Sequence, residues 1–443
     1  MNYNGGVNLR KEIKERIEMI NKGEVPEGYK KTKVGIIPED WEVKRLGEIA
    51  EVKGGKRIPK GYTLEDENNG YPYITVSDMY MGGVSTSAIK YVPLAVVDKI
   101  SNYRISKDDI FISVAGTLGI VGIVPEELDG ANLTENADKI TNIKIEKDYL
   151  LYVCMSNIIQ KEIKKEKTTN AQPKLALKRI RNFDISIPYQ DEQQKIAQIL
   201  STWDEAIELK EKLIEEKKEQ KKGLMQKLLT GEVRLPGFDG EWEEVRLGDV
   251  GKCIRGVSYK PDDLLDKKGE ESITLLRANN IIDFRINHKE VQYVKKNNVK
   301  KEQLIQDKDI AIAMSSGSLK SVGKTGFCNA TEMGMCVGAF CAIYRTNNIE
   351  FAEYIKHFFE TDLYSKQLIG MLEGTNINNL KNSDIELLKI KIPKEASEVK
   401  KVSNLLSTSD KEIDLLTQEL EQLKLQKKGL MQLLLTGIIR VKS

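Results

Sequence analysis

Much of this chain occurs twice, and that constrains its fold more than any other feature. Lys221-Lys222-Gly223-Leu224-Met225-Gln226 returns 206 positions later as Lys427-Lys428-Gly429-Leu430-Met431-Gln432. Leu228-Leu229-Thr230-Gly231 recurs as Leu434-Leu435-Thr436-Gly437, and Leu200-Ser201-Thr202 as Leu406-Ser407-Thr408, at the same offset. Upstream, Trp41-Glu42-Val43-Lys44-Arg45-Leu46-Gly47 reappears as Trp242-Glu243-Glu244-Val245-Arg246-Leu247-Gly248. A duplication has to be recognised before any local motif is read. Two copies in one chain approximate a two-fold symmetric object, which suggests a target that needs two similar readers at a fixed separation.

At 443 residues the chain has room for two or three domains, each with its own core. Its 69 basic and 67 acidic residues nearly cancel, so any nucleic-acid surface has to be local rather than global. No apolar run reaches bilayer length, and Met1 to Asn8 lacks the apolar core of a signal peptide. The cysteines at 154, 253, 328, 336 and 341 form no CxxC pair and sit in strand-like sequence, as expected of buried thiols in a reducing cytoplasm.

Each copy reads as a mixed strand and helix lobe followed by one long helix. Asp191 to Leu229 contains no proline and carries apolar residues at Ile196, Leu200, Trp203, Ile207, Ile214, Leu224 and Leu228. Steps of four and three are those of a seam that packs on another helix. The second seam is Val402, Leu406, Ile413, Leu416, Leu420, Leu423, Leu430 and Leu434. Roughly forty residues give a rod of about 60 Å. Lys210, Lys217 and Lys221 interrupt the first seam and are expected to loosen or hydrate it. Two arrangements stay open: the helices pack on each other, or each packs on its own lobe. Strands are expected at Tyr73–Val76, Ile110–Val114 and Ile310–Met314, and from Phe327 onward. Tyr149–Lys165 and Phe351–Leu372 read as helices, and Leu9–Asn21 as an amphipathic helix. The lobe interiors match poorly between copies, as though they contact different things.

A catalytic centre is not legible. Gly323-Lys324-Thr325 invites a phosphate-loop reading, but Ser318 stands where the first glycine is required and strand-like sequence follows where a helix is needed. Pro261-Asp262 and Asp266-Lys267-Lys268 are too close together to hold a nuclease metal from two strands. His288 and His357 lie far apart, and Cys336 and Cys341 lack zinc-site spacing. Neither a GxSxG elbow, nor a glycine-rich methyl-donor loop, nor a base-methylation Pro-Pro-Tyr motif occurs. No cofactor and no metal is expected.

Particular segments resemble the DNA-specificity subunits of type I restriction-modification enzymes. They are Gly35-Ile36-Ile37-Pro38-Glu39-Asp40-Trp41 with Arg45-Leu46-Gly47, and Leu235-Pro236-Gly237-Phe238 through Trp242. Glu192-Gln193-Gln194-Lys195-Ile196-Ala197, Asp109-Ile110-Phe111, Gly116-Thr117-Leu118-Gly119, Leu276-Arg277-Ala278-Asn279-Asn280-Ile281 and both helix ends add to it, across nearly the whole chain. One departure is that copy two has Ala396-Ser397-Glu398 where copy one has Glu192-Gln193-Gln194, so the second helix is expected to begin differently.

The resemblance implies an α+β fold: two mixed α/β target-recognition domains separated by an antiparallel two-helix coiled-coil spacer, with pseudo-two-fold symmetry. The expected divisions are 1–36 (helix and lead-in), 37–189 (first domain), 190–229 (first spacer helix), 230–394 (second domain) and 395–436 (second spacer helix). It implies a non-catalytic subunit that binds double-stranded DNA at a bipartite site, seats two methyltransferase subunits and is joined by restriction-translocase subunits. The methyl donor would belong to those partners. A coiled-coil scaffold for proteins only is the competing reading. Base edges are matched by residues such as Arg and Asn, phosphates by Lys. Candidate DNA-binding residues are Lys53, Lys56, Arg57, Ser77, Asp78, Tyr80, Ser113 and Thr117 in the first lobe. In the second they are Arg255, Arg277, Asn279, Asn280, Ser315, Ser316, Ser318, Lys320 and Lys324.

Overall fold

The computed structural model describes residues 11–167, 174–315, 321–372 and 379–441. The chain divides into two compact units, one formed by Met1–Glu211 with Gln418–Ser443, the other by Lys212–Thr417. Two long helices, Gln190–Thr230 and Ala396–Leu435, contribute to both. Carboxylates in their first turns (Asp191 and Glu192; Glu398) suit the positive end of a helix dipole. Gly231 and Gly437, at φ +74° and +67°, stop them in the left-handed conformation that favours glycine.

In each unit the two helices run antiparallel. The first unit has Lys210 Nζ on Glu419 at 2.8 Å, Lys424 on Glu211 at 2.7 Å, and Lys427 on Asp204. The second has Lys217 on Glu412 at 2.6 Å and Lys221 on Asp410 at 2.5 Å. Every seam residue named above is buried or half-buried. The three seam lysines therefore do not loosen the pair, because each meets a carboxylate. Lys221 also holds Glu360 at 2.5 Å. Burial pulls the Lys221 ammonium down, but the charges of Glu360 and Asp410 outweigh it and raise it overall.

Neither packing arrangement left open by the sequence holds alone. Ile196 and Leu200 of the first helix, with Leu434 and Leu435 of the second, sit in the first lobe's core beside Trp41, Ile110, Tyr149 and Ile185. In the second lobe the roles reverse: Val399, Val402 and Leu406 join Met225, Leu228 and Leu229 against Tyr344, Tyr354 and Phe358. Each lobe is thus completed by the start of one long helix and the end of the other. Burying such a leucine or isoleucine side chain contributes about 1.5–3 kcal/mol.

The lobes share a topology that their sequences hide. In the first, an antiparallel sheet runs in the order Val121–Ile123, Ile110–Ser113, Ala137–Thr141, Glu51–Gly54. In the second, Thr325–Phe327, Ile310–Ala313, Cys341–Thr346 and Gly251–Arg255 repeat that order. A second sheet pairs Asn132–Leu133 parallel to Pro72–Ile74, which pairs antiparallel to Lys90–Tyr91; Cys336–Val337, Ser272–Leu276 and Gln292–Lys295 repeat this arrangement. A short hairpin (Met79–Tyr80 with Gly83–Val84; Ile281–Ile282 with Phe284–Ile286) follows the middle strand in both.

Local expectations shift at several points. The strand at Tyr73 ends at Ile74, and Val76–Asp78 is a 3-10 turn. The strand expected from Phe327 onward is Thr325–Phe327 and ends there. Tyr149–Lys165 is two helices, Lys147–Met155 and Asn157–Lys167, broken at Ser156. Phe351–Leu372 is likewise broken, into Ala352–Phe359 and Asp362–Leu372.

The N-terminal helix, Lys11–Lys22, packs Ile17 against Leu433 and Ile438, so it braces the end of the second long helix. Arg16 Nη1 donates to Ile438 O at 2.6 Å, and Tyr29 Oη to Gly437 O at 2.8 Å.

The expected departure at Glu398 dissolves in the structure. Glu398 stands 206 positions after Glu192, and both carboxylates are held by an arginine just past the end of the other long helix. Arg440 donates through Nε and Nη2 to Glu192 at 2.8 and 2.9 Å, and reaches Asp40 at 2.7 Å. Trp41 Nε1 adds a bond to Glu192 at 3.1 Å. Arg234 donates to Glu398 at 3.0 and 2.6 Å and lies 5.8 Å over Trp242, as Arg440 lies 5.8 Å over Trp41. The helix starts share this ion pair and differ at the tryptophan, since Trp242 Nε1, unlike Trp41 Nε1, is buried without a partner.

Candidate nucleic-acid interface

Three loops in each lobe bring the candidate residues to the surface. The first leaves the edge strand through a glycine pair or its counterpart. A Cβ on Gly55 would lie 2.0 Å from Thr134 O, and one on Gly256 would lie 2.1 Å from Gly338 O, so the backbones touch there and only glycine fits. The amides beyond them bond across, Lys56 N to Leu133 O at 2.8 Å and Val257 N to Val337 O at 2.7 Å. This crossing fixes where the following side chains emerge. Lys53, Lys56 and Arg57 are exposed in the first lobe, and Arg255 in the second.

Lys53 pairs with Glu51 at 2.7 Å, Lys56 lies 5.6 Å over the Tyr103 ring, and Arg57 Nε donates to Glu135 at 2.5 Å. Burial pushes the Glu135 carboxyl up, but hydrogen bonds from Arg57, its own backbone N–H and Thr134 outweigh that and hold it below the ordinary range. A phosphate that recruits Arg57 has to displace this carboxylate. In the second lobe Arg255 shares a groove of about 540 Å³ with Lys252, Ser258, Asn298 and Lys300, which sequence reasoning missed. They are scattered in the chain and gave no local signal.

The second loop is the turn after the middle strand, and its last residue serves the turn rather than a ligand. Asp78 Oδ2 accepts from Thr75 N at 2.8 Å and Thr75 Oγ1 at 2.7 Å. Asn280, fully buried, accepts from Arg277 N at 2.9 Å and donates to Asn287 O and Lys289 O. Asn280 is therefore corrected from base reader to keystone of its turn, and the Asp78 carboxylate is occupied in the same way. Their neighbours Ser77 and Asn279 are exposed. Beyond them the hairpin tips present Tyr80 (57% exposed) and Met81 in one lobe, Ile282 and Phe284 in the other. Asp283 and Phe284 sit at φ +48° and +62°, a two-residue turn that ordinarily selects Asn-Gly. Arg277 is half-buried, donates to Glu290 O at 3.2 Å, and keeps a buried Nε without a partner. An offset of 202 aligns Thr75-x-x-Asp78 with Arg277-x-x-Asn280, and that alignment was the missed signal.

The third loop follows Ile110–Ser113 and leads to its neighbour Val121–Ile123. Ser113 is buried, donates to Thr117 O at 2.6 Å and accepts from Ile120 N at 2.8 Å. It staples the loop and is corrected on that ground, whereas Thr117 is exposed. In the second lobe Ser315 is half-buried and Lys324 exposed. Ser316, Ser318 and Lys320 lie outside the described residues.

We expect Asn279→Ala and Asn280→Ala to behave differently. Loss of the exposed Asn279 amide should relax discrimination at one base pair by about 1–3 kcal/mol and leave stability intact. Loss of Asn280 should cost about 1–3 kcal/mol of folding stability, because it frees two carbonyls and one amide in a buried turn. Binding to single-base variants of the site, set beside thermal unfolding, separates the two. Equal stability loss in both variants would contradict the assignment.

Chemically, these loops offer hydrogen-bond donors, cations and exposed aromatic faces. The one group of potential metal ligands found among the described residues is His357, Glu360 and Asp410. Its carboxylates are already met by the ammonium groups of Lys221 and Lys356, with Lys356 at 2.7 Å from Asp410, so it is an ion-pair network. No helix among the described residues is long and apolar enough to cross a membrane.

A family profile described as the type I restriction modification DNA specificity domain matches twice, over residues 38–218 and 239–425. A putative type I restriction enzyme MjaX specificity subunit from Methanocaldococcus jannaschii is 30% identical over 441 residues, covering 94% of this chain and 98% of that protein. The EcoKI specificity subunit of Escherichia coli is 33% identical over 45% of this chain and 43% of its own length. Among solved structures, one of a type I system described for its assembly and conformational transition covers 91% of this chain and 99% of its own, at TM-score 0.57 and 17% identity. The type I S subunit from M. genitalium covers 91% of this chain and 97% of its own, at TM-score 0.52 and 17% identity.

Proposed function

This chain belongs to the type I restriction-modification DNA specificity family, and from that premise we propose that its two lobes each read one half of a split DNA site. The chain is a non-catalytic specificity subunit, and chemistry falls to other subunits of the complex. The observation that carries the two-reader proposal is the repeated scaffold with divergent tips. Both lobes keep the glycine crossing and the keystone turn, while the exposed residues on them differ. Ser77, Tyr80 and Arg57 face outward in one lobe where Asn279, Ile282 and Ser258 do in the other. Lys53, Lys56, Arg255 and Lys324 supply salt-dependent phosphate contacts, and Thr117, Arg277, Asn279 and Ser315 are the candidates for base edges.

The long helices set the gap between half-sites and seat two methyltransferase subunits, with restriction-translocase subunits joining through them. The divisions 1–36, 37–189, 190–229, 230–394 and 395–436 follow as lead-in, reader, spacer, reader and spacer.

The test is a single-base map of methylated adenines in cells carrying this chain and its methyltransferase. A bipartite motif with a fixed gap is expected. Inserting four residues in the middle of each long helix adds about 6 Å, and the gap should lengthen by about two base pairs. An undivided motif, or an unchanged gap, would sink the proposal.

A further inference from the structure

The duplication supplies an internal control for a site in the first unit. In the second lobe, helix Asp362–Leu372 is capped by its own chain: Tyr364 N donates to Thr361 Oγ1 at 3.2 Å. Asp362 places a carboxylate in the first turn, 3.5 Å from Lys222 Nζ. The counterpart in the first lobe is helix Asn157–Lys167, which also begins one residue after a hydroxyl residue, Ser156. Here the anion is missing. Asn157 replaces Asp362, and Lys428, the repeat equivalent of Lys222, has no ion pair among the described residues. Ser156, 3% exposed, has an Oγ with no hydrogen-bond partner.

These groups line a cavity of about 690 Å³. Lys33 and Lys161 also line it, and neither has an ion pair among the described residues. Of the two lining carboxylates, Glu162 is held by Lys165 at 2.5 Å and by Arg179 at 3.2 Å, so three lysines outweigh Asp184. The first three amides of an α-helix have no intrahelical acceptor, and the dipole adds about half a positive charge there. Together they form an anion seat of the kind that takes phosphate. The lining also has an apolar part, from Ile20 on the N-terminal helix, Val34 and Ile36 on the hairpin behind it, and Met431 on the second long helix, beside the polar Asn21, Asn182, Gln432 and Thr436. Its volume lies in the range of nucleotide and drug-sized sites.

We propose that this cavity binds a nucleotide-sized organic phosphate. Its phosphoryl group sits at the start of helix Asn157–Lys167 beside Ser156 and Lys428, and its apolar part lies against Ile20, Val34 and Met431. Occupancy would tie the N-terminal brace to the end of the second long helix.

Calorimetric titration of the full chain with AMP and with inorganic phosphate tests this. AMP is expected to bind with one-to-one saturation and at least about tenfold more tightly than phosphate. Asn157→Asp, which installs the second lobe's arrangement, should weaken AMP at least about tenfold while leaving the unliganded protein as stable or more so. Ile20→Ser should weaken AMP and leave phosphate unchanged. No saturation by either compound below about 10 mM would overturn the site. So would AMP binding that is indifferent to Asn157→Asp, and equal affinities would overturn the organic ligand.

Discussion

Replacing Arg440 by alanine is expected to destabilise the first unit by about 2–3 kcal/mol. Glu192, 5% exposed, accepts from Arg440, Trp41 and the Val441 amide, and without the guanidinium its charge is buried with neutral donors only. Removing one partner of a fully buried pair costs about 3–5 kcal/mol, and Arg440 is about a third exposed, which lowers the figure. Its other partner, Asp40, lies below the ordinary carboxylate range, held there chiefly by the Arg440 hydrogen bonds. The loss should appear as faster hydrogen exchange in Glu42–Arg45 and Asp184–Ile187, the strand pair next to the clasp, with little change in Trp242–Arg246. Arg440→Lys keeps the charge but not the planar fork, so it should recover only part of the stability. If Arg440→Ala unfolds in urea like the parent, the clasp contributes nothing.

Gly256→Ala is expected to be the most damaging single methyl in the second lobe. Its Cβ would lie 2.1 Å from Gly338 O and 2.7 Å from Cys341 O, both backbone atoms, so no rotamer change relieves the clash. The crossing has to open, with a cost on the order of 4 kcal/mol or more. Because Arg255 and Ser258 flank that crossing, the second half-site should drop out of the methylation pattern. Gly223→Ala is the control. That glycine lies inside the first long helix with nothing within 4 Å of the added atom, and alanine there should stabilise by about 1 kcal/mol. A Gly256→Ala protein as stable as its parent would show that the backbones part at no cost.

The helices and the lobe count were legible because periodicity and repetition are properties of neighbouring letters. Ile196, Leu200 and Leu228 announce a buried stripe whatever they touch. What they touch was not legible: the first lobe's core takes Leu434 and Leu435 from more than two hundred residues away. The candidate loops were found by glycine and polar content, which marks a turn without saying which side chain points inward. Ser113 and Asn280 look like base readers for the same reason that they make good staples, since short side chains with donor and acceptor atoms serve both purposes. The clasp was within reach, for Arg234 and Arg440 each follow the repeated Leu-Thr-Gly by three positions. Its meaning needed Glu192 and Glu398 in place.

The way each lobe borrows a helix end has a consequence for the order of assembly on the ribosome. The second unit is one uninterrupted stretch, Lys212–Thr417, and can close as soon as it has emerged. The first unit is translated earlier but lacks Leu434, Leu435 and Arg440 until the whole of Lys212–Thr417 has been made. At about 5–20 residues per second that leaves its apolar surface open for roughly ten to fifty seconds. The half that is made first is the half that finishes last, and during that interval it is the chain's main exposure to chaperones and to aggregation.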